Sequence, residues 1–282
     1  MATGTVPSLN GPAEEATIEL SFRQRIWVLI AVLGLGLAAL LALEPIPQDP
    51  AYHHFADTRA VLGIPNFNDV TSNLGFALVG ALALFMLAGG RGRGIFDRPP
   101  DVRPYLVFFL GVALVALGSA YYHWAPSNER LLWDRLPMSV AFMAFCAAVV
   151  ADRIDARAGN GWLLALLVAL GLASLFYWHW SESLGRGDLR FYGFVQFYPA
   201  VALPVAFWQF PEHRYTAGRA IAWMVAWYGL SKVFEHFDGA IFELLGRTVS
   251  GHTLKHLAAA VAPFVLLRML LARRPAKGPA KA

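Results

Sequence analysis

Apolar residues run in long stretches along the chain, separated by short polar segments. A helix needs about 20 apolar residues to cross the hydrocarbon core of a bilayer, and fewer where polar side chains face a protein interior. Eight stretches qualify, at 26–43, 69–90, 104–123, 135–151, 161–180, 193–210, 217–237 and 252–272. The pattern predicts an all-α polytopic membrane protein with eight spans.

The two ends of the chain differ from these spans. Residues 1–25 predict a disordered tail, and residues 273–282 predict a short basic tail rich in Lys, Pro and Ala. The first span, 26–43, has the length of a signal-peptide core, but no small-residue cleavage motif precedes Glu44. We therefore expect a retained helix there, followed by one membrane domain over 55–272.

Basic residues are distributed unevenly between the connecting segments. With the N-terminus inside, fourteen of the 23 Lys and Arg residues fall in inner segments and six in outer segments, while three lie within spans. Cytoplasmic loops of membrane proteins are enriched in these residues. The distribution predicts an inner-membrane protein with both termini in the cytoplasm.

The composition agrees with a membrane location and narrows the candidate chemistry. Hydrophobic residues make up 57% of the chain and charged residues 15%, against about 25% charged in soluble domains. The formal charge of +4 does not imply nucleic-acid binding. The single cysteine, Cys146, lies inside an apolar run, which excludes a disulfide framework and a cysteine-based zinc site. A metal site would use His, Asp or Glu.

Five polar residues in or beside three spans are predicted to reach the same membrane depth. Ser119 and His123 are four residues apart near the outer end of the third span, and Asp134 opens the fourth. His252 and His256 are again four apart, at the outer start of the eighth. Ionisable residues within spans are costly and usually face the interior of a helix bundle. We therefore expect the five to converge just beneath the outer surface.

The residue types at this depth suggest metal-assisted hydrolysis. Three histidines with an open fourth position are one ligand set of catalytic zinc, which lowers the pKa of its bound water to about 7. In this interpretation His123, His252 and His256 bind zinc. Asp134 accepts a proton from the water, and Ser119 hydrogen-bonds the water or a developing oxyanion. The alternative is that the histidines extend to the headgroups and Ser119 bonds carbonyls of its own helix.

The remaining polar residues on the outer side are weaker candidates. Four further histidines fall there, namely His53, His54, His179 and His236. His179 is flanked by tryptophans, so we expect it to anchor the helix at the interface. Lys232 and Glu235 lie three residues apart in the seventh span, and neither tolerates isolation in lipid. A mutual ion pair is favoured for them over a contact with substrate.

An oxygen-rich segment precedes the second span. Asp57, Asn66, Asn68 and Asp69 offer hard ligands that suit calcium, although the segment has no EF-hand spacing. The competing interpretation is that these residues form turns and helix caps. Calcium is therefore the less favoured hypothesis.

Three parts of the chain resemble the alkaline ceramidase family, namely NFNDVTSNLGFAL, GSAYYHW followed by LLWDRLPMS, and HTLKHL. That family belongs to a superfamily of seven-helix membrane hydrolases that includes the adiponectin and progestin receptors. Its signature is Ser-x-x-x-His late in one helix, Asp at the start of the next and His-x-x-x-His in the last. The resemblance covers about 55–272, so it implies a seven-helix hydrolase core plus one extra N-terminal transmembrane helix.

The resemblance also implies a reaction and a site. By position, His123, His252 and His256 would bind zinc, while Ser119 and Asp134 would flank the zinc-bound water. The family hydrolyses the amide that links a fatty acid to a sphingoid base. The implied substrate is thus a membrane lipid with a long acyl chain, which would enter between helices.

The calcium segment of the family matches less well. Eukaryotic members have a Glu at about the position of Asn66, and a Glu and an Asn near Thr58 and Arg59. Asp57 resembles a retained carboxylate and Asp69 is displaced, which weakens the case for calcium. Short loops and an Ala/Arg-rich sequence suggest a bacterial member, for which "lipid amide or ester" describes the expected substrate better than ceramide.

Two other function classes remain open at this point. One is a zinc esterase or phospholipase on the same scaffold. The other is a receptor or transporter whose intramembrane His and Asp residues bind a ligand or relay protons.

Overall fold

The computed structural model describes residues 20–89 and 94–273. Most of both predicted tails lies outside these residues. The described chain is all-α, as predicted, with one isolated β-bridge between Val61 and Ile64. The α-helices, in chain order, are α1 (Phe22–Ala42), α2 (Phe67–Thr71), α3 (Leu74–Ala88), α4 (Arg103–Trp124), α5 (Asn128–Arg153), α6 (Ala156–Gly159), α7 (Trp162–Ser183), α8 (Arg190–Phe197), α9 (Pro199–Gln209), α10 (Gly218–His236), α11 (Asp238–Leu244) and α12 (Gly251–Ala272).

Seven helical segments of the described chain are long and apolar enough to cross a membrane. They correspond to the first six predicted spans and the eighth, which confirms an all-α polytopic membrane fold. Their bounds are Phe22–Ala42, Phe67–Ala88, Pro99–Trp124, Asn128–Arg153, Trp162–Ser183, Arg190–Gln209 and Gly251–Ala272.

The seventh predicted span, 217–237, forms helix α10 but is less apolar than the other seven. Its 19 residues include Arg219, Lys232 and Glu235, so any stretch long enough to span the bilayer carries three charges. Helix α10 packs along α12, where Lys255 pairs with Glu235. The charges that set α10 apart are therefore partly neutralised inside the bundle.

Two element boundaries differ from the prediction. Asp134 does not open its helix, because α5 begins six residues earlier, at Asn128, where the Ser127 side chain caps the first turn. The polar residues of that first turn hid it from a search for apolar stretches. The sixth span is two helices, α8 and α9, that meet at Tyr198 before Pro199, whose nitrogen has no hydrogen to donate.

The bundle is built around α5. This helix packs against α4 and α7, α3 lies on the other side of α4, and α10 pairs with α12. Of the most apolar 18-residue stretch of α5, 67% is buried inside the bundle, whereas none of the corresponding stretch of α1 is buried. Helix α1 contacts α8 and α9 at the edge of the bundle.

Helices α4 and α5 approach each other closely at Gly118. A Cβ atom there would lie 2.0 Å from the carbonyl oxygen of Trp133 and 3.4 Å from the Cα of Asp134. Only glycine permits this contact without a shift of the backbone. The contact places Ser119, the next residue of α4, against the start of the buried part of α5.

Candidate metal centre

Three imidazoles from two helices meet at one end of the bundle. His123 lies in the last turn of α4, and His252 and His256 lie in the first two turns of α12. One ligand atom from each falls within 4.8 Å of the others, and the Nε2 atoms of His123 and His252 are 3.2 Å apart. All three side chains are at most 4% exposed. The structure thus brings together the three histidines that the sequence analysis proposed as ligands.

The start of α12 is fixed in place by several local contacts. Ser250 caps the helix by accepting a hydrogen bond from the backbone N–H of Thr253 at 3.0 Å. The backbone N–H of His252 donates to Asp238 Oδ1 at 2.7 Å. Gly251 lies so close to α10 that a Cβ atom would be 2.3 Å from the carbonyl oxygen of Phe234. These contacts set the direction in which His252 and His256 point.

Residues outside the predicted set complete the surroundings of the histidines. Ser72 Oγ lies 2.8 Å from His256 Nδ1. In metal sites, a hydrogen bond to one ring nitrogen fixes the tautomer of an imidazole that binds the metal through its other nitrogen. The ring of Phe55 packs edge-on against His123 and His252, with centroid distances of 4.7 and 4.5 Å. Sequence reasoning missed both residues, because neither Ser nor Phe stands out in an apolar chain.

The cluster has the donor chemistry that a metal ion requires. Buried imidazoles packed against one another have few polar partners of their own, and His123 Nδ1 has none among the described residues. Within those same residues, this is the one group of three or more His, Cys, Asp or Glu side chains close enough to share an ion. Three neutral nitrogen ligands suit zinc, and they also suit other transition metals. The three histidines therefore fit a transition-metal ion.

Ser119 and Asp134 lie close to each other across the contact between α4 and α5. Both side chains are buried. Ser119 also precedes His123 by one helical turn, so the two share a face of α4. The structure therefore puts Ser119 one helical turn from His123 and Asp134 close to Ser119, while the proton-handling roles of the two residues stay a prediction.

Two lysines and a glutamate form an ion-pair network beside the histidines. Glu235 Oε2 lies 2.7 Å from Lys232 Nζ, which confirms the predicted pair, and Glu235 Oε1 lies 2.5 Å from Lys255 Nζ. Lys255 Nζ is also 3.4 Å from His252 Nε2. In the sequence, Lys255 is one of three basic residues inside predicted spans. Its position between His252 and His256 could have marked it as part of the site, because a lysine inside a span is costly.

The calcium candidates are engaged in separate contacts. Arg59 donates to both carboxylate oxygens of Asp57, and Asn68 adds a third hydrogen bond. Burial alone would raise the pKa of Asp57, but these hydrogen bonds outweigh it and hold the pKa below its usual value. A guanidinium thus already neutralises this carboxylate.

The other two candidates point to different partners. The Asn66 amide donates to the backbone carbonyl of His123 at 2.7 Å, so it supports the end of α4. Asp69 Oδ1 accepts from the Thr253 hydroxyl at 2.7 Å, near the start of α12. These contacts give the segment a structural role, in which it joins helix ends around the histidines rather than forming the predicted helix caps.

The remaining outer histidines lie apart from the cluster. His53 hydrogen-bonds the Tyr122 hydroxyl and Asn128 Oδ1, both at 2.9 Å, and thereby ties the segment before α2 to the connection between α4 and α5. His179 is half-buried, and His54 and His236 are exposed. None of the four belongs to the described metal-ligand group.

Comparisons with known proteins add no further information. No protein-family model, curated protein or solved structure matches the chain. Fold and site define the class: a polytopic α-helical membrane protein with a buried three-histidine cluster that can hold a metal ion.

Proposed function

We propose that this protein is a zinc-dependent intramembrane hydrolase that cleaves the amide bond of ceramide-like lipids to a fatty acid and a sphingoid-type amine. The observation that carries the proposal is the buried cluster of His123, His252 and His256, with Ser119 one helical turn from His123 and Asp134 close to Ser119. An acid–base pair next to three convergent imidazoles is the arrangement that metal-assisted hydrolysis requires. The resemblance to alkaline ceramidases supplies the expected bond type.

Each residue of the site has a definite task in this proposal. The three histidines would hold zinc, which when bound supplies Lewis acidity for attack on a carbonyl. Asp134 takes the proton of the attacking water and returns it to the leaving amine nitrogen. Ser119 orients the Asp134 carboxylate and offers its hydroxyl to the oxygen on which negative charge develops.

The surroundings of the site support a lipid substrate. The cluster lies at the end of membrane-spanning helices, and the faces of α1, α3, α4 and α7 expose many large apolar side chains. A long acyl chain would reach the site from the bilayer between helices. The packing of Phe55 on two of the histidines would exclude water around the scissile bond.

The proposal includes an orientation in the membrane. Basic residues concentrate on the side opposite the histidine cluster, which supports an inner-membrane protein with both termini cytoplasmic. The site would then face the outer, periplasmic side. Lipids of the outer leaflet would be the accessible substrates.

Cleavage of fluorescent lipids tests the function. The purified protein is incubated with a fluorescent ceramide, with an acyl amide that has a simpler head group and with the matching acyl ester. We expect release of fatty acid from the amides, its loss on addition of a chelator and its recovery with zinc. His252→Ala should abolish release, while His236→Ala, which alters an exposed histidine of α10, should retain it.

The other outcomes separate the competing functions. Cleavage of the ester alone would replace the amidase with a zinc esterase. Activity that survives His252→Ala would place the chemistry elsewhere. Substrate uptake into proteoliposomes without any cleavage would identify a transporter.

A further inference from the structure

Arg135, the residue after Asp134, is buried in a cage of aromatic side chains. It is 7% exposed. Its guanidinium carbon lies 5.2 Å from the ring centroid of Tyr52 and 4.9 Å from those of Trp178 and Tyr192. These rings come from the segment before α2, from α7 and from α8, so three separate parts of the chain enclose one cation.

The cage does not satisfy the hydrogen bonds of this guanidinium. Aromatic rings stabilise a cation, but they leave the N–H groups of arginine without acceptors. Nη1 of Arg135 is buried with no hydrogen-bond partner, and no carboxylate of the described chain forms an ion pair with it. By contrast, Arg59, Arg98 and Arg190 each pair with an aspartate.

A buried, permanently charged group without an acceptor is costly. Guanidinium presents a planar fork of N–H donors that matches the two oxygens of a carboxylate or phosphate. Arg135 is therefore buried, positively charged and has free N–H donors, which are the properties of a binding site for a carboxylate or phosphate.

Contacts link Arg135 to the histidine cluster. Tyr52 lies against Arg135, and its hydroxyl is 3.5 Å from Glu235 Oε1. The same oxygen binds Lys255, which is 3.4 Å from His252. Lys232 and Lys255 share the single carboxylate of Glu235, so cations outnumber anions between Arg135 and the histidines.

We propose that Arg135 binds the oxyanion of an amphiphilic ligand, a carboxylate or phosphate group attached to a long alkyl chain. The aromatic cage holds the guanidinium in place, and the anion supplies the acceptors that the protein lacks there. If the ligand is the acid released by amide hydrolysis, the assignment rests on the proposed function. Binding of the anion itself does not.

Binding to the purified, zinc-loaded, full-length protein tests this assignment. Three ligands with the same chain are compared, namely hexadecanoic acid, hexadecyl phosphate and hexadecanol. We expect the acid or the phosphate to bind at least about tenfold more tightly than the neutral alcohol, because only the anions form charge-assisted hydrogen bonds. A preference for the acid identifies a site for the product, and a preference for the phosphate identifies a site for a lipid headgroup.

Variants show whether Arg135 is responsible. Arg135→Gln should reduce binding of the anion to that of the alcohol, and Arg135→Lys should retain part of the preference as a point charge. The matched control is Arg130→Gln, on the same helix, whose guanidinium carbon lies 4.4 Å from the single, exposed Tyr121 ring. Elution volume and zinc content check that each variant is folded.

Equal binding of anions and alcohol by the wild-type protein would overturn the proposal without any variant. A folded Arg135→Gln protein that keeps the wild-type preference would also overturn it, and would assign the anion to the metal or to Lys255. The measurement is binding rather than cleavage, so it stands whether or not the protein hydrolyses amides.

Discussion

At the scale of single residues, the proposed function divides the side chains of the site into metal ligands and groups that handle protons. The three histidines offer nitrogen lone pairs, whereas Asp134 and Ser119 offer a carboxylate and a hydroxyl. The two kinds of residue should therefore respond differently to substitution. Loss of a ligand should remove the metal, but loss of a proton-handling group should leave it bound.

Asp134→Asn and Ser119→Ala test this division. We expect Asp134→Asn to lower kcat for lipid amide hydrolysis by about 10²–10⁴, because the amide cannot act as a base. Ser119→Ala should lower kcat by up to about 10²–10³, the usual effect of removing one oxyanion donor. Both variants should retain zinc, as measured by metal analysis. Ser139→Ala, at a buried serine of α5, is the control and should have wild-type activity.

If either Asp134→Asn or Ser119→Ala hydrolyses amides at the wild-type rate, the role given to that residue is refuted.

The network around Glu235 gives a second residue-scale prediction. Glu235→Gln leaves Lys232 and Lys255 without their shared partner in a largely buried setting. Removing one member of a buried ion pair typically costs about 3–5 kcal/mol. We therefore expect a clear fall in the thermal midpoint of the protein in detergent. Glu243→Gln, which removes the exposed partner of Arg247, should leave the midpoint unchanged.

An equal effect of these two substitutions would mean that the Glu235 network contributes no more than a surface pair.

At the scale of helices, the site depends on how closely α4 and α5 approach. Gly118 permits the contact that sets Ser119 beside Asp134. Gly118→Ala should force the helices apart, lower the free energy of unfolding by about 1–3 kcal/mol and reduce activity. Gly34→Ala in α1 meets no atom within 4 Å and should be neutral or slightly stabilising. Thermal unfolding and amide hydrolysis, measured on both variants, test this.

Unchanged stability and activity in Gly118→Ala would show that the close contact is not needed for the site.

Helical periodicity explains which parts of the site were predictable. Spacing of four residues placed Ser119 with His123 and His252 with His256, and alternating topology placed both pairs at one end of the bundle. The contact between these two residue pairs depends on tertiary packing, but their shared depth in the membrane was enough to suggest it. The all-α fold followed directly from the apolar stretches.

The remaining features depend on packing that no local pattern encodes. Phe55 reaches the histidines because the segment before α2 folds over the ends of α4 and α12, and Ser72 reaches His256 from the connection between α2 and α3. Arg135 looked like one more basic residue of an outer loop, since the polar first turn of α5 hid the true start of that helix. Its cage draws residues from three separate parts of the chain.

At the scale of the whole molecule, the orientation in the membrane decides which leaflet supplies the substrate. Reporter tags at the C-terminus and between α7 and α8, within residues 184–189, should lie on opposite sides of the membrane. Tags at the N-terminus and the C-terminus should both be cytoplasmic, because the basic segments lie on that side. Reporter enzymes active on one side only, or labelling of single cysteines by an impermeant reagent, give the measurement.

If the C-terminal tag and the tag in 184–189 report the same side, α10 does not cross the membrane and the count of eight spans fails.

In the proposed function, His123, His252 and His256 hold a metal ion inside the membrane domain. Metal analysis of the purified protein tests it most directly. We expect about one zinc per chain, near-complete loss of zinc in His123→Ala, His252→Ala and His256→Ala, and full retention in His179→Ala. A folded wild-type protein without any transition metal, or a folded triple variant that still holds one zinc per chain, would contradict the claim.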